Sequence, residues 1–454
     1  MRCKCKNWLT GSILALGICA LFSCHTASAD ELPETTKNKS ATPTNVIIIL
    51  TDDQGYGDIG CFGADDLNTP NLDGLAAAGM RFTDFHVQAA VCSPSRAALL
   101  TGLYPKRAGV TRVLVPKHGG GLRKDTPTIA ELLKPLGYAT ACIGKWHLGH
   151  HPGYFPTERG FDEYFGIPYS NDMGRMRGTG VIDDERNVPP LPLMRHSAVI
   201  ETEPDQHLLT KRYTDEALKF IDKNTERPFF LYLPHTFPHR PWFASSTFHG
   251  NSDRGLYGDM IEEIDWSVGK IVSKLKQLGL YDNTLVVFTS DNGPAQKRDE
   301  EVAAGSAGPL RGHKFSIYEG GHRVPCIMSW PATIPAGSVC EELTTAMDLM
   351  PTVAGIVNTK APPSDGYDIQ PLLKAEKDAG SPYEYLIHFK GPRLGAVRHG
   401  RWKLIGKYSK KVSEFELYDL ESDISESNNM AGTHPHLVNE LLNKGQAIYD
   451  SIHR

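Results

Sequence analysis

Four short runs of this chain are apolar on both alternating faces, and each ends in a cluster of polar residues. The first, N-V-I-I-I-L from Asn45 to Leu50, is β-branched at its centre and has no polar side. Such a run fits a strand covered on both faces, the place of a central strand in a parallel sheet. The runs from Tyr138 to Ile143, Pro228 to Leu233 and Thr284 to Thr289 read as strands in the same way. Helical patterns are expected from Leu72 to Gly79, Ala130 to Leu136, Tyr213 to Asn224 and Tyr257 to Leu278. Strands alternating with helices predict an α/β fold with a large mixed, mainly parallel sheet sandwiched by helices.

The polar clusters share one placement. Asp52 and Asp53 follow the first run, Lys145 and His147 the second, His235 and His239 the third, and Asp291 and Asn292 the fourth. Open α/β sheets bind ligands outside the carboxyl ends of their strands, so these four clusters are expected to converge. Asp52, Asp53, Asp291 and Asn292 offer only oxygen ligands, a set suited to Ca²⁺ or Mg²⁺ rather than zinc.

The ends of the chain differ from its middle. Arg2, Lys4 and Lys6 precede an apolar stretch from about Ile13 to Phe22, too short for a comfortable membrane span. Two exits from this targeting segment are open. Ala27-Ser28-Ala29 reads as a signal-peptidase site, which makes residues 1–29 a signal peptide, and Leu21-Phe22-Ser23-Cys24 reads as a lipobox with Cys24 lipidated. Either predicts an exported protein, periplasmic or secreted. Residues 30–43 are polar and read as a flexible leader. Residues 44–380 form the expected catalytic domain, in which Arg175 to Pro204, rich in Gly, Pro and charge, reads as a long surface loop near the site. From 381 to 454, short alternating pieces predict a small antiparallel sheet covered by a final helix from about Pro435 to Ile452. No later apolar run is long enough to cross a membrane. With a formal net charge of −5 and no basic block, nothing points to a nucleic-acid partner. Beyond the leader remain Cys61, Cys92, Cys142, Cys326 and Cys340. With Cys92 set aside, the other four allow two disulfides or isolated buried thiols.

Cys92 opens the run C-S-P-S-R-A-A-L-L-T-G, ending at Gly102. Pro94 suits a first helical turn, and Ala97 to Leu100 are strong helix formers. Cys92 is therefore expected at a helix N-terminus, where free N–H groups favour an anion. Arg96, four residues on, shares its face. A Cys followed by Pro at the second position and Arg at the fourth resembles the signature of the type I sulfatases. The likeness extends from about Thr44 to Gly432, through T-D-D-Q-G-Y-G-D from Thr51, G-K-W-H-L-G from Gly144, G-I-P-Y-S from Gly166, S-D-N-G-P from Ser290 and Y-E-G-G from Tyr318. It is especially similar to the arylsulfatase A and N-acetylgalactosamine-6-sulfatase branch.

The resemblance implies an alkaline-phosphatase-like fold and hydrolysis of sulfate esters. It implies that a maturation enzyme oxidises Cys92 to formylglycine (3-oxoalanine), whose hydrate attacks sulfur and later expels sulfate. Asp52, Asp53, Asp291, Asn292 and the converted Cys92 would bind Ca²⁺. Arg96 and Lys145 would steady the formylglycine and sulfate, His147 would help deprotonate the second hydroxyl, Lys314 would grip a sulfate oxygen, and Ser170 would contact sulfate. The His that protonates the leaving oxygen is His239 or its neighbour His235, with spacing from the strand favouring His239. The substrate implied is a sulfated polysaccharide, a glycosaminoglycan fragment or an aryl sulfate. Two other readings stay open: a phosphodiester or phosphonate monoester hydrolase on the same fold, and a non-catalytic protein that binds sulfated glycans.

Overall fold

A computed structural model describes residues 44–178, 180–296, 304–406 and 415–452. The targeting segment, with both of its cleavage readings, and the polar stretch to residue 43 lie outside these residues. A ten-stranded sheet forms the centre. From one edge to the other its strands are Ser338–Cys340, Met80–Phe82, Cys326–Ser329, Thr284–Ser290, Asn45–Thr51, Phe229–Pro234, Ala139–Ile143, Glu163–Gly166, Pro192–Arg195 and Ala198–Thr202. The five from Thr284–Ser290 to Glu163–Gly166 run parallel, and antiparallel pairings flank them on both sides. The sheet is thus mixed and mainly parallel, as expected.

The doubly apolar character of the central strand is used in full. All seven residues of Asn45–Thr51 are buried. Val46, Ile48 and Leu50 enter one core with Leu99 and Leu100 of the Cys92–Thr101 helix and Val353 of the Leu349–Ile356 helix. Ile47 and Ile49 enter the opposite core with Leu72, Tyr213, Phe220, Ile264 and Val268. These last residues belong to the Pro70–Ala77, Leu209–Lys223 and Gly255–Gln277 helices, so helices cover both faces of the sheet.

One expectation is corrected. The stretch from Arg175 to Pro204 is not wholly a loop, because Pro192–Arg195 and Ala198–Thr202 pair as an antiparallel hairpin at the sheet edge. Leu193 and Met194 are buried while Val199 and Ile200 stay exposed, which is the uneven patterning of an edge strand and hides the period-2 signal. Before the hairpin, Met176, Arg177, Gly178 and Arg186 do border the site described below.

Near the C-terminus, Leu386–Lys390, Arg393–His399, Trp402–Ile405 and Glu416–Asp419 form a four-stranded antiparallel sheet. The Pro435–Ser451 helix places Leu441 in a shared core with Leu386, Val397, Leu404 and Leu417. Cys61, Cys92, Cys142, Cys326 and Cys340 are all free thiols, so of the two cysteine readings the isolated thiols hold among the described residues.

Candidate active site

Parallel register brings the carboxylates together. Thr51 pairs with Ser290 across neighbouring strands, so Asp52 and Asp291 leave the sheet side by side. The Asp291 amide donates to the Thr51 carbonyl (3.0 Å), and the Asp53 amide to Asp291 Oδ1 (3.3 Å). Asn292 Nδ2 then donates to Asp53 Oδ1 at 2.7 Å. The next strand end adds Lys145, whose amide donates to the Pro234 carbonyl at 2.8 Å. That close passage requires Gly144: its φ is +131°, and a Cβ there would meet the Pro234 oxygen at 1.9 Å.

The Cys92–Thr101 helix lies fully buried against this edge, with Cys92 as its first residue and 2% exposed. Gly102, in the left-handed conformation, ends it. Arg96, one turn along, is fully buried and directs its guanidinium at three partners. Nε donates to Asp291 Oδ2 (2.8 Å), a terminal nitrogen to Asp52 Oδ2 (3.0 Å), and the other to the Lys145 carbonyl (2.7 Å). Lys145 Nζ pairs with Asp52 and donates to Ser170 Oγ at 2.9 Å. Lys314 Nζ sits 2.7 Å from Asp53 Oδ1 and 2.9 Å from Oδ2.

The histidines are separated by their partners. His239 Nδ1 lies 3.1 Å from Asn171 Oδ1. Asn171 spends its Nδ2 on Gln206 Oε1 (2.9 Å) and the Pro241 carbonyl (3.1 Å), so its oxygen faces His239 as an acceptor. Nδ1 therefore carries the proton, and Nε2 faces Asp53 Oδ2 at 3.7 Å. His147, at φ +60°, bonds through Nε2 to the Leu114 carbonyl (2.8 Å) and keeps a buried Nδ1 without a hydrogen-bond partner. His235 does not join them. Its amide donates to the Leu50 carbonyl, and its ring sits between Tyr213 and Ser267, with Nε2 3.4 Å from Ser267 Oγ. The structure thus gathers Cys92, Arg96, Lys145, His239, Lys314, Asp52, Asp53, Asp291, Asn292 and Ser170, with His147 alongside and His235 apart.

Burial and mutual charge tune this group. Burial alone would raise the Asp52 carboxyl, but Lys145, His239, Arg96 and Lys314 outweigh it and hold it well below the usual range. Burial and the Asp52 charge push Asp291 up to about 7 despite Arg96. Burial would lower Lys314, yet Asp53 raises it. Burial lifts the Cys92 thiol to about 11 against the pull of Lys145 and Lys314, so the unmodified thiol stays protonated and weakly nucleophilic at neutral pH. Burial and the neighbouring cations keep His147 well below its ordinary value, and burial with Lys314 lowers His239.

The donor chemistry fits a hard cation. Asp52 Oδ1 and Asn292 Oδ1 are buried without a hydrogen-bond partner, and the carboxylates of Asp52 and Asp53 bring ligand atoms within 4.8 Å of each other and of a His239 ring nitrogen. Oxygens left unsatisfied in a buried carboxylate cluster are what a Ca²⁺ site requires. A second acidic group, Asp84, His86 and Glu319, is different. Its carboxylates are met by Arg323, Arg398 and Lys403, which makes it an ion-pair network.

A cleft of about 870 Å³ opens over Asp53, His239 and Lys314, walled by Asp172, Arg177, Arg186, Trp242 and Phe315 among others. Of these wall residues, only Arg177 and Arg186 fall in a stretch that the sequence placed near the site, and neither was singled out; Asp172, Phe315, Asn171 and Gln206 were not marked. Asn171 directly follows the G-I-P-Y-S match, which was the one available signal for it.

Fold and site together define a hydrolase of the alkaline-phosphatase-like α/β type, with a buried cluster of paired cations and carboxylates at the strand ends. The sulfatase family model matches residues 44–359, and the model for the C-terminal region of N-sulphoglucosamine sulphohydrolase matches 313–446. Human (Homo sapiens) arylsulfatase A is 40% identical over 383 residues, covering 80% of this chain and 75% of its own. N-acetylgalactosamine-6-sulfatase of Canis lupus familiaris is 38% identical over 421 residues, covering 88% and 78%. Among solved structures, the PsFucS1 sulfatase from Pseudoalteromonas sp. superposes with a TM-score of 0.80 at 26% identity, covering 90% of each chain. Ps i-CgsB in complex with k-i-k-neocarrahexaose gives 0.77 at 31%, covering 90% of this chain and 93% of its own. The chain belongs to the sulfatase family. It is a sulfuric ester hydrolase, cleaving sulfate esters.

Proposed function

We propose that this sulfatase acts on sulfated polysaccharides or glycosaminoglycan fragments, through a formylglycine made from Cys92 by a maturation enzyme and a Ca²⁺ held by Asp52, Asp53, Asp291 and Asn292. One observation carries the reading. Buried Cys92 stands at a helix start with Arg96 one turn along and Lys145 and Lys314 acting on it, a cationic setting that suits a sulfate. The neocarrahexaose bound by a 31% identical neighbour supports a glycan as substrate.

The formylglycine hydrate supplies an oxygen nucleophile for sulfur and a second hydroxyl whose deprotonation expels sulfate. The cation supplies fixed positive charge to the sulfate oxygens. Arg96 holds Asp52 and Asp291 in place for the cation. Lys145 and Lys314, paired here with Asp52 and Asp53, would be released to donate to sulfate oxygens if those carboxylates held a cation, in a site buried enough for such donors to count. Ser170, bonded to Lys145, adds a hydroxyl to the same anion. His239, its Nδ1–H held by Asn171, would present Nε2 to the leaving oxygen and protonate it from the imidazolium form, which the Asp53 and Asp52 carboxylates favour. His147, its Nε2 fixed by Leu114, offers Nδ1 to take the hydroxyl proton. His235, walled off by Tyr213 and Ser267, supports this face of the site from behind. We assign catalysis to residues 44–380 and a covering role to 381–454, and we propose export by the N-terminal segment.

Mass spectrometry of the Cys92 peptide, from protein co-produced with a maturation enzyme, is expected to show an aldehyde in place of the thiol. Cys92→Ala is expected to lower kcat/KM on an aryl sulfate by several orders of magnitude, as removal of a covalent nucleophile does (about 10⁶-fold in one protease). Unchanged turnover in that variant would refute the role of Cys92. Faster cleavage of an aryl phosphodiester than of the aryl sulfate would move the principal activity to phosphoryl chemistry.

A further inference from the structure

We propose that the cleft walls form a carbohydrate subsite, in which Phe315 carries the apolar face of a sugar ring and Arg186 binds a second anionic substituent, a sulfate or a carboxylate. The proposal rests on the sulfated-glycan reading and identifies what recognises the remainder of that substrate.

Phe315 is costly where it stands. Its φ is +66°, a conformation that favours glycine and strains a bulky side chain. Its ring is nevertheless 62% exposed in the catalytic cleft, so folding recovers little of the apolar burial that such a residue normally gains. Its amide donates to the Ala90 carbonyl at 2.8 Å, two residues before Cys92. The ring is therefore fixed relative to the reacting residue, directly beside Lys314, whose Nζ lies 5.6 Å from the ring centroid. Strain and exposure together at one cleft residue are accounted for by a ligand that covers the ring. Trp242, the other aromatic of the wall, is already engaged. Its indole N–H donates to the Pro238 carbonyl, and the Arg240 guanidinium covers its face at 4.9 Å.

Arg186 supplies the charge. Neighbouring arginines of the same stretch are neutralised, Arg175 by Asp184 and Arg177 by Asp183. Arg186 is half-buried and donates to the Gly174 carbonyl at 2.7 Å, and among the described residues it pairs with no carboxylate. A guanidinium anchored by one nitrogen keeps donors for a planar carboxylate or a sulfate. Asp172 also lines the cleft. An exposed aromatic platform and a cation without a carboxylate partner match a sugar ring that bears a negative charge.

The test uses the full matured chain, a small aryl sulfate and three sulfated disaccharides. In these the second ring carries another sulfate, a carboxylate or no charge. Phe315→Gly is expected to raise KM for all three disaccharides about tenfold more than for the aryl sulfate. Its thermal midpoint should not fall, because glycine relieves the φ strain. Arg186→Gln is expected to lower the kcat/KM preference for the charged disaccharides over the neutral one about tenfold, and the arm that responds identifies the anion. Disaccharide turnover in which both variants behave as wild type would overturn the subsite alone. A wild-type protein that cleaves the aryl sulfate and none of the disaccharides would overturn the glycan reading and the subsite with it.

Discussion

Arg96 shows how much one side chain organises. Its guanidinium joins the ends of two strands by holding Asp52 and Asp291, and joins a third by holding the Lys145 carbonyl. Removing it leaves two buried carboxylates without their shared cation. Arg96→Ala is therefore expected to cost about 3–5 kcal/mol in a denaturant titration. Arg96→Lys restores the charge without the planar fork and should recover stability better than kcat. The motif at Cys92 made Arg96 legible, but as a partner of the reacting group; that it serves the carboxylates depends on strand register. Asp348, away from the cleft, illustrates a different effect. It accepts from the amides of Thr345 and Tyr367 and from the Tyr383 hydroxyl, yet burial pushes its carboxyl up to about 7 from 3.8. The folded chain keeps this proton to higher pH than the unfolded chain. The unfolded state thus binds fewer protons between about pH 4 and 7, and stability falls as pH rises through that window, then levels off. Asp348→Asn should flatten this slope in urea titrations at stepped pH. An identical slope in both proteins would exclude Asp348 as its source.

Elements differ in how openly the sequence declares them. The four central strands were legible because burial on both faces leaves mostly apolar residues, and the polar clusters that follow stand out against them. The hairpin of Pro192–Arg195 and Ala198–Thr202 was hidden because its outer residues include exposed Val199 and Ile200, which break the alternation. The choice between His235 and His239 was narrowed by spacing alone. In the fold His239 lies against Asn171, which Gln206 holds from 35 residues away in the chain, a pairing that no local pattern announces. The C-terminal sheet owes its placement to charge as much as to packing. Lys403, fully buried on the Trp402–Ile405 strand, lies 2.8 Å from both Glu319 and Glu426. Arg398 on the neighbouring strand reaches Asp84 at 3.1 Å. Lys403→Met leaves two buried carboxylates facing each other and is expected to cost about 3–5 kcal/mol. Loss of less than 1 kcal/mol in a denaturant titration would show that the network is not what holds the sheet.

For the molecule as a whole, the site and the stability are linked through the proposed cation. The oxygen set spans two strand ends, so binding should stabilise the entire sheet. At a hundredfold excess over Kd, a bound ion adds about 2.7 kcal/mol. A calcium chelator is therefore expected to lower both the thermal midpoint and the turnover, and added Ca²⁺ to restore both. Among the described residues no helix is long and apolar enough to cross a membrane. The pairing of Thr51 with Ser290 has a last consequence for how this protein tolerates change. Losing one residue from the Asn45–Thr51 strand would draw Asp52 and Asp53 back by about 3.3 Å relative to Asp291. It would also exchange the residues facing the two cores. Because both sets are aliphatic, the exchange offends neither core, and the chain would still fold. The strand works as a ruler: its length sets catalytic geometry that its hydrophobicity does not protect, so single-residue deletions there should yield folded, silent protein.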